Sequence, residues 1–316
     1  MSTYSRREFL KRAATTAGLG AGCAALGPAA VGLASGAEKP AAFKLAICNE
    51  TFRDWPQEKA FAFAAECGYE GIEIAPFTIA TYVTDVDRRQ RRQLRRLAEK
   101  NRVEIVGLHW LLAKTEGLHL TSPDPNVRKA TADYLGELAK FCADLGGKIM
   151  VFGSPQQRNL PPGVSLDQGK QFAVEVFRAV VPALEKTGVT IGLEALGPNE
   201  TDIIVSAADA AELADRIDAP QVAMILDCKA SAKESASIPE LIRKHHDRMV
   251  HFHANDYNRR GPGMGDLDFA PIFQALREVG YDGWVSVEVF DYEPGPERLA
   301  RESIDYMKKV LAKLDG

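Results

Sequence analysis

The chain has 316 residues, 46% of them hydrophobic and 26% charged, with a formal net charge of −4. That is enough apolar material for one large core. The mildly acidic balance excludes the basic footprint that nucleic-acid binding requires.

The amino terminus is read first, because it is set apart from the fold. Ser5-Arg6-Arg7-Glu8-Phe9-Leu10-Lys11 has the form of a twin-arginine signal, followed by a weakly apolar Ala/Gly-rich stretch from Ala13 to about Ala34. Its glycines and alanines make it less hydrophobic than a membrane helix needs. Ser35-Gly36-Ala37 supplies small residues at a cleavage point, so residues 1–37 are expected to be a signal peptide and 38–316 the mature domain. That predicts a periplasmic or secreted protein. Cys23 follows Gly20-Ala21-Gly22, a poor lipoprotein box. No later segment is long and apolar enough to span a membrane.

Beyond this point short β-rich runs alternate with amphipathic helical stretches. Strands are expected at Lys44–Asn49, Gly71–Ala75, Val103–His109, Lys148–Phe152, Val189–Glu194, Val222–Asp227, Met249–Ala254 and Trp284–Val289. Helices are expected at Pro56–Cys67, Asp87–Lys100, Pro125–Leu145, Leu166–Lys186, Ala207–Ile217, Ile238–His245, Phe269–Val279 and Glu297–Leu314. Pro56 and Pro125 suit first helical turns, and Gly68, Gly146 and Gly188 suit helix ends. Eight such units with nothing left over predict an α/β fold, a single-domain (β/α)₈ barrel. The competing doubly wound sheet would want a GxGxxG turn after the first strand, and there is none. Four long connections, at 76–86, 111–124, 154–165 and 256–268, would rise from the catalytic face. Cys48, Cys67, Cys142 and Cys228 form no CxxC pair and sit among apolar neighbours, so buried thiols are expected rather than disulfides.

The chemistry lies at the ends of the last four strand–helix units. Glu194 in VTIGLEAL, Asp227 in VAMILDCKA, His253 in MVHFHAND and Glu288 in GWVSVEVF are separated by 33, 26 and 35 residues. Each run therefore offers one ligand-type group at its carboxyl end, and the four together would make an oxygen-rich divalent metal site. Any one of them could instead cap a helix. Four on consecutive strands are hard to explain without a cation, because uncompensated inward charge is costly. His109 ends the third strand and by position points into the same mouth. His251, two residues before His253, faces the same way one layer deeper and reads as a hydrogen-bonded partner.

These motifs carry a resemblance. Glu194 followed by Glu200-Thr201, the segment HFHANDYNRR, and the tail GDLDFAPIFQALREVGYDGWVSVEVF are similar to the xylose isomerase-like barrels, in particular the D-tagatose 3-epimerase group. The resemblance implies a metal held by Glu194, Asp227, His253 and Glu288, with Mn²⁺ first and Mg²⁺ or Co²⁺ as alternatives. It implies that Glu200 and Arg259 contact a carbohydrate substrate, and His109 joins them as a substrate contact by its position. It also implies that Glu194 and Glu288 move a proton beside a carbonyl through a metal-bound enediolate, in a homo-oligomer. The group usually has a His three residues after the metal-binding Asp, where this chain has Ala230, with Lys229 beside it. Two other readings stay open: a metal-dependent lyase or dehydratase on a keto-glycoside or keto-inositol, and a non-catalytic carbohydrate-binding protein. An endonuclease IV-like phosphodiesterase would need more ligands than six histidines comfortably provide.

Overall fold

The computed structural model describes residues 43–315. The twin-arginine segment, its cleavage point and Cys23 lie outside the described residues. Eight parallel strands close into a barrel in chain order, β1 (Lys44–Cys48), β2 (Gly71–Ile74), β3 (Glu104–Leu108), β4 (Ile149–Phe152), β5 (Thr190–Leu193), β6 (Val222–Asp227), β7 (Met249–Ala254) and β8 (Trp284–Val287). Closure comes from β1 pairing with β8, Lys44 opposite Trp284 and Ile47 opposite Val287. The helices are α1 (Gln57–Cys67), α2 (Arg88–Asn101), α3 (Pro125–Leu145), α4 (Leu166–Thr187), α5 (Ala207–Ile217), α6 (Ile238–His245), α7 (Ala270–Glu278) and α8 (Pro296–Asp315). The single-domain (β/α)₈ expectation holds.

Local chemistry explains the boundaries. Asp87, Ser165, Ser206 and Ser237 each close a capping box with the residue three positions on, satisfying amide donors that a helix start leaves free. Gly68, Gly146 and Gly188 end α1, α3 and α4 at φ of 91°, 95° and 65°, a conformation a side chain would strain. Pro125 opens α3 as expected, whereas Pro56 stands one residue before α1. Several expected strands run one or two residues too long at their carboxyl ends. Asn49, Ala75, His109, Glu194 and Glu288 leave the ladder and belong to the catalytic-face loops instead. All four described cysteines are free and buried, as expected.

One continuous apolar cluster, from Phe43 to Val310, fills the space between sheet and helices. Inside the barrel, polar side chains are buried as well, among them Cys48, Glu73, His251 and Ser286. Two register shifts interrupt the pairing. Opposite Ile72–Glu73 of β2, strand β3 carries the extra residue Val106; opposite Met224–Ile225 of β6, strand β7 carries Val250. Such bulges bend a strand and re-aim the side chains that follow. Gly107, just past the first bulge, packs so closely on β4 that a Cβ there would run into the Ile149 carbonyl oxygen. Gly107→Ala should therefore cost about 2–3 kcal/mol and lower the melting temperature by roughly 5–10 °C. A melt followed by circular dichroism checks this, and an unchanged midpoint would contradict the packing described.

Candidate active site

The four ligand-type residues converge. Glu194 follows β5 directly, Asp227 ends β6, His253 lies near the end of β7 and Glu288 follows β8. One ligand atom from each lies within 4.8 Å of the other three, and all four side chains are buried. His253 Nδ1 sits 2.9 Å from Glu288 Oε2 and 3.3 Å from Glu194 Oε1.

Each carboxylate is held by neighbours that fix its aim. Asp227 Oδ1 accepts the Ala230 amide at 2.6 Å, and its Oδ2 accepts Asn255 Nδ2 at 2.6 Å. Asn255 in turn accepts the Lys229 amide at 2.7 Å, which ties the β6 and β7 loops together. Glu288 Oε1 accepts the Trp110 indole N–H at 2.8 Å. Arg158, fully buried, donates to the Glu194 backbone carbonyl at 2.7 Å. Gly153 leaves room for the Glu194 carboxylate, which a Cβ there would strike.

The electrostatics describe a crowded anionic centre. Burial and the carboxylates of Glu194 and Glu288 push Asp227 up to about 7. Burial and Glu288 raise Glu194. Burial would raise Glu288 too, but the adjacent His253 outweighs it and holds the group below its usual range. Five carboxylates, Glu50, Glu73, Glu194, Asp227 and Glu288, are buried around the centre with one guanidinium, Arg158, and three imidazoles, His109, His251 and His253. Within the quartet itself three carboxyl groups face a single imidazole. The donor set, oxygen-rich with one imidazole, thus fits a hard or borderline divalent cation.

Above the quartet opens a cavity of ≈ 340 Å³ lined by Trp110, Gly153, Glu200, Lys229, Arg259 and Phe290 along with Glu194 and Glu288. That is within the range of small-molecule sites, ~300–1,000 Å³. Two larger depressions, ≈ 540 and ≈ 480 Å³, flank α2 on the outer wall and gather none of these ligand atoms.

The other sequence-expected residues divide. Glu200 and Arg259 line the cavity, and Glu200 forms an ion pair with the Lys229 ammonium. Arg259 is at φ 72°, and its carbonyl accepts the amides of Phe290 and Asp291, tying its loop to the end of β8. His109 is not in the cavity wall: it is fully buried, with Nε2 2.5 Å from Glu50 Oε2. His251 lies in the barrel interior, its Nε2 2.8 Å from Glu73 Oε2. The sequence reading missed Glu50, Glu73 and Asn255. Glu50 was findable by the same rule as the quartet, since KLAICNE also ends a strand on an acid.

A closed (β/α)₈ barrel with acids and an imidazole gathered at its carboxyl-end mouth is an enzyme architecture of one class, the metal-assisted barrels. Residues 61–310 match the family described as xylose isomerase-like TIM barrel, and the chain belongs to that family. It is 26% identical to a probable ketose 3-epimerase of Synechocystis sp. over 270 residues, 80% of this chain and 91% of the relative. Among solved structures, a D-psicose 3-epimerase with D-tagatose from Clostridium cellulolyticum H10 superposes with TM-score 0.74 at 23% identity, covering 85% of this chain and 99% of the other. A 3-keto-D-glucoside 4-epimerase from E. coli superposes with TM-score 0.73 at 21% identity, covering 85% and 100%. At that identity the two structures speak for the fold.

Saturating Mn²⁺ should stabilise the metal-free protein, by about 2.7 kcal/mol at a hundred times the dissociation constant. Asp227→Asn should lose most of that shift. Melts with Mn²⁺ and with EDTA check both, and equal midpoints in the wild type would remove the metal reading.

Proposed function

We propose that this chain is an exported, divalent-metal-dependent sugar epimerase acting beside a ketose-type carbonyl, with Mn²⁺ as its ion. The chain is a sugar isomerase/epimerase in class, as its ketose 3-epimerase relative indicates. The observation that carries the mechanism is the placing of Glu194 and Glu288. They directly follow β5 and β8, three strands apart in the barrel, and both approach His253 Nδ1, at 3.3 and 2.9 Å.

Glu194, Asp227, His253 and Glu288 would hold the cation, which when bound supplies Lewis acidity to a carbonyl and its neighbouring hydroxyl. One carboxylate takes the proton from the carbon next to the carbonyl. The C–H bond breaks, an O–H bond forms, and the electron pair moves onto the carbonyl oxygen to give an enediolate. The second group, a carboxylic acid at the start, gives its own proton to the opposite face and is left as the carboxylate, inverting the centre. Delivery to the former carbonyl carbon would instead shift the carbonyl along the chain, giving an aldose where the proton was taken from the terminal carbon of a ketose. Trp110 holds Glu288 Oε1, and Oε2 faces His253 Nδ1 at 2.9 Å. Trp110 and Phe290 give the cavity an apolar wall for a sugar, and Arg259 supplies a cationic donor at its rim.

Incubating the Mn²⁺-loaded enzyme with ketoses and keto-glycosides in D₂O tests the reaction. Deuterium should enter the inverted carbon with no substituent lost. Release of water or an aglycone would replace this reading with a lyase, and absence of exchange with every substrate would replace it with a sugar-binding protein. Glu194→Gln and Glu288→Gln should each lower kcat by about 10²–10⁴-fold, the range for losing a positioned acid–base group.

Export has its own test. The protein recovered from outside the cytoplasm should begin near Glu38, and a combined Arg6→Lys, Arg7→Lys change should hold it inside. Efficient export of that variant would overturn the localisation.

A further inference from the structure

Beneath the quartet lies a carboxylate that the proton transfer does not use. Glu73 stands on β2 and is 1% exposed, yet its partners come from across the barrel on β7. Its Oε2 is 2.8 Å from His251 Nε2, and both of its oxygens are 3.4 Å from His253 Nε2. His109 Nδ1 approaches Oε1 at 3.9 Å, and the Cys48 thiol approaches Oε2 at 3.7 Å.

We propose that Glu73 is a positioning residue of the metal centre, accepting the Nε2–H of His253 so that Nδ1 presents its lone pair to the ion. The proposal rests on the quartet holding a divalent cation. A neutral imidazole has one N–H and one lone pair, and its surroundings decide which nitrogen carries which. Here the two nitrogens face different company. Nδ1 looks onto Glu194 and Glu288, the two bases of the quartet, whereas Nε2 looks onto a carboxylate outside it. Without Glu73, the carboxylates beside Nδ1 would draw the proton to that nitrogen and close the site to a cation. A carboxylate behind a ligating imidazole fixes both tautomer and ring orientation.

The backbone supports this arrangement. The β3 bulge falls opposite Glu73, and the β7 bulge lies between Met249 and His251, where it sets the aim of both histidines. The hydrogen bond to His251 then anchors Glu73 from the other side. His251 thus acts through Glu73, two contacts away from the quartet.

Calorimetric titration of the metal-free full chain with MnCl₂ tests the proposal, comparing wild type with Glu73→Gln. The wild type should bind one Mn²⁺ per chain. Glu73→Gln should bind about 10–100-fold more weakly, the usual cost of removing such a partner, while its metal-free melting curve stays close to wild type. Because Glu73→Gln could fail to fold, ¹⁵N NMR of the histidines in the Mg²⁺-loaded wild type gives a second reading. His253 should be protonated at Nε2. A Glu73→Gln affinity within about twofold of wild type, or a proton on Nδ1, overturns the proposal. Two ions per chain at saturation also overturns it, since Glu73 would then be a ligand. A wild type that binds no Mn²⁺ brings down the metal reading itself, a result distinct from a difference between the two proteins.

Discussion

Negative charge gathered at one end of a barrel, out of reach of water, is the constraint on which the rest of this structure depends. A single buried carboxylate costs several kcal/mol unless something repays its lost hydration. Here five are buried together, three of them in the quartet beside a single imidazole. The fold meets this in two ways. It supplies fixed donors, namely the Trp110 indole, the Asn255 amide and the Ala230 backbone N–H. It also leaves the ligand atoms within reach of one common point. Burial, and then repulsion from Glu194 and Glu288, pushes Asp227 up to about 7, and that repulsion is what a divalent ion would offset. A divalent ion held by the quartet would relieve what the fold imposes.

The barrel makes this affordable because its strands carry separate duties along their length. The flanks that face the helices are apolar and close-packed. The last residue of each strand, or the first after it, is released from the ladder and turns toward the mouth. That is why Glu194 and Glu288 stand just beyond β5 and β8, and why most strands end earlier than their β-rich runs suggest. Hydrophobic periodicity marks where a segment is buried, and these residues are buried as well. It cannot register where the regular ladder ends, since the amides of Glu194 and Glu288 still donate to Phe152 and Ala254 of the neighbouring strands.

The fold was legible because its signals are local: caps, terminating glycines and a strand–helix repeat. The quartet was legible because each member ends its own apolar run. Glu73 was not, since GIEI reads as an ordinary strand with one acid in it, and its partners lie 178 and 180 residues away. Nothing near it in sequence says that it points inward. That direction is visible only in its contacts with His251 and His253 on β7. His109 illustrates the converse. Its place at the end of β3 suggested the mouth, but Glu50, arriving from the turn after β1, engages its Nε2 within the buried interior.

The rim of the cavity is where this chain parts from the family pattern. With Ala230 in place of a histidine, the family's donor three residues after the metal-binding Asp is missing, and Ala230 offers only its backbone N–H, already given to Asp227. Lys229 fills the edge instead. Its ammonium pairs with Glu200 and lies 4.3 Å from the centre of the Phe290 ring. Burial opposes that charge, but Asp227 and Glu200 outweigh it and keep the amine protonated. Glu200 is therefore engaged before any sugar arrives, and a substrate hydroxyl must share it with Lys229. An ion pair of this kind offers acceptor and donor side by side, a pattern that suits a carbonyl or hydroxyl pair differently from one imidazole. The quartet is the candidate metal floor, and Lys229 with Glu200 gives the rim above it a donor and an acceptor of its own.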